Sequence, residues 1–329
     1  MTQSGELDSV RHLLEAWGVI KKDSRPKLTI LGGGISNLIV KAETPDGTWV
    51  VKQPLAKLRV NQEWYANRNR ILKETSCLRL IRRYIGQEYA PKVLFEDRTN
   101  LACLLECAPQ GTKTWKEELL NGKVDSNVTR GVANFLSQFH LKTHGVVEIS
   151  REFGDITNFL QLRIDSYLVA LIPLYSNLSD QINEIITGLT STRICLVHGD
   201  FSPKNILLLP DGRLWVIDAE VAHYGNLAFD VAFCANHLII KSVHMRSNDY
   251  LNEARRFWQL YWKEAEPLGE RNFTVRVLGG LMLARVDGKS PIEYLDEPAR
   301  STIRKLSSRF VEKRVSDFDE IIDSVKREL

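Results

Sequence analysis

The stretch 196–237, LVHGDFSPKNILLLPDGRLWVIDAEVAHYGNLAFDVAFCANH, restricts what this chain can become more than any other. The apolar run Cys195-Leu196-Val197 breaks at His198-Gly199-Asp200, and Asn205 follows five residues after that aspartate. Ile206-Leu207-Leu208-Leu209 has strand character, Pro210-Asp211-Gly212 is a turn signal, and Leu214-Trp215-Val216-Ile217 reads as the return strand. That return strand delivers Asp218 and Glu220 at its end. A hairpin folds its two ends back together, so Asp200, Asn205 and Asp218 are expected in one small volume.

An aspartate able to accept a hydroxyl proton, beside an asparagine and an aspartate offering hard oxygen ligands, suits Mg²⁺ and a nucleotide. Magnesium is held by one or two carboxylates together with substrate phosphates, and phosphoryl transfer depends on positioning and charge neutralisation. HGDFSPKN followed by VIDAE resembles the catalytic and metal-binding motifs of the aminoglycoside phosphotransferase and choline kinase superfamily, small-molecule kinases built on the protein-kinase fold. The resemblance covers about residues 28–237 and implies an α+β, bilobal architecture. A small N-terminal antiparallel sheet lobe is then joined to a larger, mainly helical C-terminal lobe. It also implies ATP and Mg²⁺ as cofactors, with Asp200 as the base for an attacking alcohol. Asn205 and Asp218 are the implied metal ligands, and Glu220 an additional one. His198 then organises its loop, and Asp230 in AFDVAF braces it. The order Asp-x-Glu differs from the protein-kinase DFG and is similar to small-molecule kinases, methylthioribose kinase among them.

Composition narrows the class without choosing it. A chain of 329 residues, 43% hydrophobic and 26% charged, has the length for a substantial core and the balance of an ordinary globular protein. A net charge of +3, with no Lys/Arg block interleaved with aromatics, argues against a nucleic-acid partner. The N-terminal MTQSGELDSVRHLLEAWGVI carries acids and no signal-type apolar core, and no run approaches the ~20 apolar residues of a bilayer span. A cytoplasmic protein without membrane association, monomeric or homodimeric, is expected. The five scattered cysteines lack a CxxC pair and read as buried thiols rather than metal ligands or disulfides.

Residues 6–20 read as a helix with Val10, Leu13, Leu14 and Trp17 on one face. Strands are expected at 28–31, 38–40 and 49–52, with Gly32-Gly33-Gly34-Ile35-Ser36-Asn37 between the first two. A strand, a glycine loop and a second strand is the protein-kinase way of covering phosphates. A Rossmann fingerprint would lead into a helix, and the GK[ST] ending of a Walker loop is absent. Gly32, Gly33, Gly34, Ser36 and Asn37 are therefore expected at the nucleotide, and Lys52 at its α/β-phosphates and paired with a helix glutamate. Ile71, Leu78, Ile81 and Ile85 form an apolar helical seam that Glu74 shares. A carboxylate there is costly unless paired, so Glu74 is the expected partner of Lys52. The rival Glu63 sits with Asn67 and Arg70 on a polar face. After strands at 92–95 and 101–105, Glu106-Cys107-Ala108-Pro109 resembles a kinase hinge, which implies that Glu106 and Ala108 bind adenine through their backbone. This places a boundary between a nucleotide-binding lobe, 1–107, and a catalytic and substrate-binding lobe, 108–329.

Beyond the hinge the chain reads as helical. A core helix at 128–141 carries Val132, Phe135, Leu136 and Phe139 and closes on His140, a packed histidine. Amphipathic segments follow within 157–188, then a helix at 229–242 and helices to 329 ending in a fraying charged tail. Val51-Lys52-Gln53, the WKEELLNGK stretch from Trp115 and IDAEVAHYGNLAFD look like methylthioribose kinase, which implies a hydroxyl of a small, sugar-like metabolite as phosphate acceptor. The asparagine of HGDFSPKN is more like the aminoglycoside and choline branches, so those acceptors stay open. A nucleotide-binding pseudokinase is disfavoured because Lys52, Glu74, Asp200, Asn205 and Asp218 are all present. A polycationic aminoglycoside calls for an acid-rich pocket, and only Glu293, Asp296 and Glu297 cluster late in the chain. Choline calls for an aromatic box, for which Trp258, Tyr261 and Trp262 are candidates. Two further substrate contacts are expected. Lys204 replaces the usual small residue before the metal-binding asparagine, where it either reaches the γ-phosphate or is solvated. Arg285 intrudes on the apolar run 278–284, where it either binds substrate or caps a helix.

Overall fold

The alternating apolar residues between Lys27 and Glu106 form a five-stranded antiparallel sheet of β1 (Lys27–Ile30), β2 (Asn37–Thr44), β3 (Gly47–Pro54), β4 (Val93–Asp97) and β5 (Ala102–Glu106). The structure, a computed structural model, describes residues 3–22, 24–32, 36–59 and 65–329. Strand order is β1-β2-β3-β5-β4; β2 pairs with β3 from Asn37↔Pro54 to Thr44↔Gly47, and Lys52 lies opposite Cys103 of β5. Because strand side chains alternate, Val51 points to one face and Lys52 to the other. Val51, Val40 and Ala42 pack with Val10 and Leu14 of the N-terminal helix α1 (Gln3–Ala16). The opposite face carries Cys103 and Leu105, which join Ile71, Cys77 and Leu78 of α2 (Arg70–Leu80) in the main core. Helix α1 stops at Ala16 rather than running to residue 20. Gly18 takes φ +69°, its N–H reaches Glu15 O at 3.0 Å, and Val19 N–H reaches Leu14 O at 2.9 Å, a glycine-terminated helix end.

The remainder is mostly helical, and the chain has the expected bilobal α+β architecture. The helix Ala228–Met245 is buried from Ala228 to Val243 and forms the axis of this half. The helices Asn248–Ala265 and Arg271–Asp287 pack on it and Ser126–Thr143 packs on Asn248–Ala265, with Phe135, Phe139, Phe229, Phe233 and Tyr261 in the shared core. Trp258, Tyr261 and Trp262 lie inside this core, so they form no aromatic box. The end of the chain is packed, not frayed: the helix Phe318–Lys326 buries Ile321, Ile322 and Val325, and Phe318 stacks on Trp258 at 4.2 Å. All five cysteines are free. Among the described residues no helix is long and apolar enough to cross a membrane.

Candidate active site

The expected hairpin is present: Ile206–Leu208 pairs with Leu214–Val216, and Ile217 N–H reaches back to Asn205 O at 3.0 Å. Ahead of it, Cys195–Val197 pairs with His223–Gly225 and ends at the His198-Gly199-Asp200 turn. Gly199 sits at φ +76°, and a Cβ there would lie 2.8 Å from Val221 O, so no larger residue fits without displacing backbone. Asp230, in the first turn of Ala228–Met245, accepts the N–H groups of His198 (2.6 Å) and Gly199 (2.9 Å). His198 Nδ1 accepts from Asp200 N–H at 3.2 Å while Nε2 faces Ile217 O at 3.1 Å, which puts the ring proton on Nε2. Burial pushes the His198 pKa down and keeps the ring neutral. His140 is packed between Tyr261 Oη (2.7 Å) and Asp230 Oδ2 (3.4 Å).

Three donors converge on the Asp200 carboxylate: Asn205 Nδ2 (2.8 Å) and Lys204 Nζ (2.9 Å) on Oδ2, and Arg163 Nη2 (3.0 Å) on Oδ1. Burial alone would raise the Asp200 pKa, but the charges of Arg163 and Lys204 outweigh it and hold the group below the usual aspartate range. Such a carboxylate orients a hydroxyl better than it pulls a proton in the ground state. Lys204 is thus paired with Asp200 while its side chain stays about half exposed. Arg163 is a residue that the sequence reading missed. It rides on a wide π-helical stretch, Leu160–Leu168, and its Nε also donates to Gly199 O at 2.8 Å. Its signal was available: Arg163 shares the helical seam of Leu160 and Tyr167, where a charge is costly without a partner.

Lys52 and Glu74 are brought together, with Nζ 2.8 Å from Oε1, and the same ammonium lies 2.5 Å from Asp218 Oδ1. Burial would lower the Lys52 pKa, but Asp218 and Glu74 reverse the effect and hold it well above normal. Burial likewise opposes ionisation of Asp218, and Lys52 and Lys204 overcome it, keeping that carboxyl well below normal. Burial pushes the Glu74 carboxyl up, to about 7. Asp218 adopts φ +65°, a left-handed conformation that aims its side chain from the hairpin's end into the site. Glu220 Oε2 accepts from Asn37 Nδ2 and from Arg70 Nε, each at 2.9 Å. Arg70 is fully buried, contrary to its expected place on a polar face of α2.

The remaining expected site residues fall as follows. Gly33 and Gly34, like Glu63, lie outside the described residues. Gly32 has open space where a Cβ would project, Ser36 O takes a hydrogen bond from Arg70 Nη2 at 2.5 Å, and the Asn37 amide is turned to Glu220. Glu106 ends β5 with its N–H on Lys92 O at 2.9 Å, whereas the N–H of Ala108 has no acceptor among the described residues. Arg285 Nη1 contacts the carbonyl of Ser290 and, at 3.3 Å, Tyr167 Oη. Glu293, Asp296 and Glu297 make no acidic pocket: Asp296 caps the helix Glu297–Glu312, and Glu297 faces Arg304.

Carboxylate oxygens of Glu74, Asp218 and Glu220 lie within 4.8 Å of one another. Two cations, Lys52 and Arg70, stand against these three carboxylates, so negative charge is left over. Asn205 Nδ2 is spent on Asp200, which leaves its Oδ1 without a donor among the described residues. Surplus negative charge with carboxylate and amide oxygens matches the donor chemistry of a hard divalent cation such as Mg²⁺.

A lysine on β3 paired with a glutamate on α2 thus faces Asp200, Asn205 and Asp218 around one hairpin. The chain belongs to the phosphotransferase enzyme family, whose model matches residues 27–268. A methylthioribose kinase of Pectobacterium carotovorum subsp. carotovorum (strain PC1) is 24% identical over 261 residues, covering 71% of this chain and 64% of that protein. A methylthioribose kinase of Geobacillus thermodenitrificans (strain NG80-2) is 26% identical over 240 residues, covering 64% and 59%. The chain therefore spans less than two thirds of the length of these relatives. In fold it is similar to a choline/ethanolamine kinase family protein from Mesorhizobium loti, with TM-score 0.61 and 17% identity over 98% of this chain and 99% of that one. It is also similar to the amicoumacin kinase hAmiN in complex with AMP-PNP, Ca²⁺ and Ami, with TM-score 0.62 and 14% identity over 98% and 100%.

Proposed function

We propose that this protein is an ATP- and Mg²⁺-dependent kinase that moves the γ-phosphate to a hydroxyl of a small, sugar-like metabolite. The observation that carries the reading is the joint placement of two groups, one in the turn before the hairpin and one at its end. Asp200 is fixed to orient a hydroxyl, and Asp218 sits on Lys52, which is itself held by Glu74. Lys52 would meet the α/β-phosphates, with Gly32, Ser36 and Asn37 above them, and Ala108 N–H together with the backbone of Glu106 would meet the adenine. Residues 1–107 and 108–329 then act as the nucleotide lobe and the catalytic lobe. Asn205 and Asp218, with Glu220 beside them, would hold Mg²⁺, which when bound supplies charge neutralisation for the triphosphate. Asp200 accepts the acceptor's hydroxyl hydrogen and aligns its oxygen, while Arg163 and Asn205 prevent the carboxylate from rotating away. The likeness to methylthioribose kinases favours a sugar-like acceptor, and the absence of an acidic pocket from Glu293, Asp296 and Glu297 weighs against a polycationic antibiotic.

The test is an ADP-release screen across sugars, amino alcohols and aminoglycosides, followed by Asp200→Asn on the best acceptor. Turnover is expected to fall by roughly 10²–10⁴-fold while nucleotide affinity is retained. Undiminished turnover in that variant would remove Asp200 from the mechanism.

A further inference from the structure

Four cationic side chains are buried among the described residues, and three of them sit on carboxylates: Lys52 on Glu74 and Asp218, Arg70 on Glu220, Arg163 on Asp200. The fourth, Lys241 of the helix Ala228–Met245, is 1% exposed and has no carboxylate within ion-pair distance among the described residues. Its Nζ is 3.2 Å from Tyr294 Oη and 3.4 Å from His237 O. Apart from the buried Cys234 thiol, its electrostatic neighbours are cations. Lys116 lies over the same Tyr294 ring at 5.9 Å, and burial together with Lys116 and Arg285 pushes the Lys241 pKa down to about 7. An unpaired buried ammonium is costly, and a core position that needed only bulk would be filled at lower cost by methionine or leucine.

Ring contacts link this cationic group to Arg163, the partner of Asp200. Arg163, on Asp200, lies 5.7 Å from the Tyr167 ring, and Arg285 lies 5.5 Å from the same ring. Tyr167 contacts Phe233, which meets His237 edge-on at 4.9 Å, one turn before Lys241. Lys204, also on Asp200, is near enough for its charge to act on His237. Helix α3 (Trp115–Leu120), which carries Lys116, packs on the turn Pro203–Asn205 that carries Lys204. Arg285 Nε is buried without a partner, a donor left over beside this cluster. Lys116, Arg285 and Tyr294 are only partly buried, so the outer members of the cluster face solvent.

We propose that the phosphate acceptor is itself an anion: Lys241, Arg285 and Lys116, with Tyr294 and Tyr167, form a subsite for a carboxylate or phosphate group that holds the substrate while its hydroxyl lies on Asp200. This rests on the kinase reading and deepens it. The anion supplies the counter-charge that the fold gives its other buried cations and withholds here. A polycation would be repelled by the same groups, and a neutral sugar would leave Lys241 and Arg285 without a counter-charge.

The test separates the subsite from the reaction. Binding of ribose, ribonate, ribose 5-phosphate and inorganic phosphate to the full chain is read by calorimetry without nucleotide, in wild type, Lys241→Met and Arg285→Gln. At least one anionic probe should bind more tightly than ribose, and each variant should weaken it by at least about tenfold, the scale of one charge-assisted hydrogen bond. Ribonate against ribose 5-phosphate tells a carboxylate subsite from a phosphate subsite. Removal of an unpaired buried charge leaves Lys241→Met foldable, and a melting temperature at or above wild type checks this. Equal binding of ribose and the anions, or anion binding that survives both substitutions, overturns the proposal. The kinase reading fails by a different signal, the loss of Mg²⁺-dependent ATP binding in the wild-type chain.

Discussion

Replacing Arg70 with methionine isolates the tie between α2 and Glu220. The guanidinium is fully buried and donates to Glu220 Oε2 (2.9 Å), Ala66 O (3.3 Å), Asn67 O (3.0 Å), Ser36 O (2.5 Å) and Leu55 O (2.8 Å). Methionine fills most of the volume, so the cavity contribution is small. Glu220 is left buried, with only the Asn37 amide, next to Asp218 and Glu74. Breaking a buried pair from one side costs about 3–5 kcal/mol, and carbonyls that water cannot reach add about 1 kcal/mol each. A loss of about 4–6 kcal/mol is expected at neutral pH. Glu220→Gln in the Arg70→Met background removes the stranded charge and should recover at least half of it. The assay is urea unfolding followed by tryptophan fluorescence and far-ultraviolet circular dichroism, with coincident transitions required before free energies are extracted. A cost under about 1 kcal/mol for Arg70→Met, or no recovery in the double variant, would refute the assignment of Arg70 as the counter-ion of Glu220.

Asp218→Ala should weaken Mg²⁺-dependent nucleotide binding, because it removes a carboxylate from the surplus of negative charge; unchanged affinity by calorimetry contradicts the metal assignment. Gly199→Ala forces a Cβ to within 2.8 Å of Val221 O at φ +76° and should destabilise the chain by about 1–3 kcal/mol, measured by the same unfolding assay. His223 is buried against Phe159 at 4.1 Å, and burial pushes its pKa down to about 4. Between its unfolded pKa of about 6.5 and 4, the unfolded chain takes up a proton that the folded chain refuses. Stability should therefore fall as the pH drops through this window, by up to about 3 kcal/mol from this group, and level off below it. His223→Gln should flatten that slope, and identical slopes in the two proteins would count against it.

The sheet and the hairpin were legible in the sequence because their signals are local: two-residue alternation, a Pro-Asp-Gly turn, and polar residues clustered where apolar runs stop. Glu74 was legible because a charge on an apolar seam demands a partner. The same rule applied more widely would have reached further. Arg70 lies four residues before Glu74, on the same side of α2, yet it read as part of a polar face, and Arg163 shares a seam with Leu160 and Tyr167 without having been singled out. What stayed hidden was long-range: which carboxylate each arginine meets depends on how the two halves close together. Lys241 was hidden for another reason. Its helix is buried on every side, so no polar face marks which way the ammonium points.

Three side chains from the sheet half grip two carboxylates of the helical half: Lys52 holds Asp218, while Asn37 and Arg70 hold Glu220. These bonds meet within one short segment, so a three-residue stretch of the helical half carries both of the carboxylates that the sheet half's buried cations share.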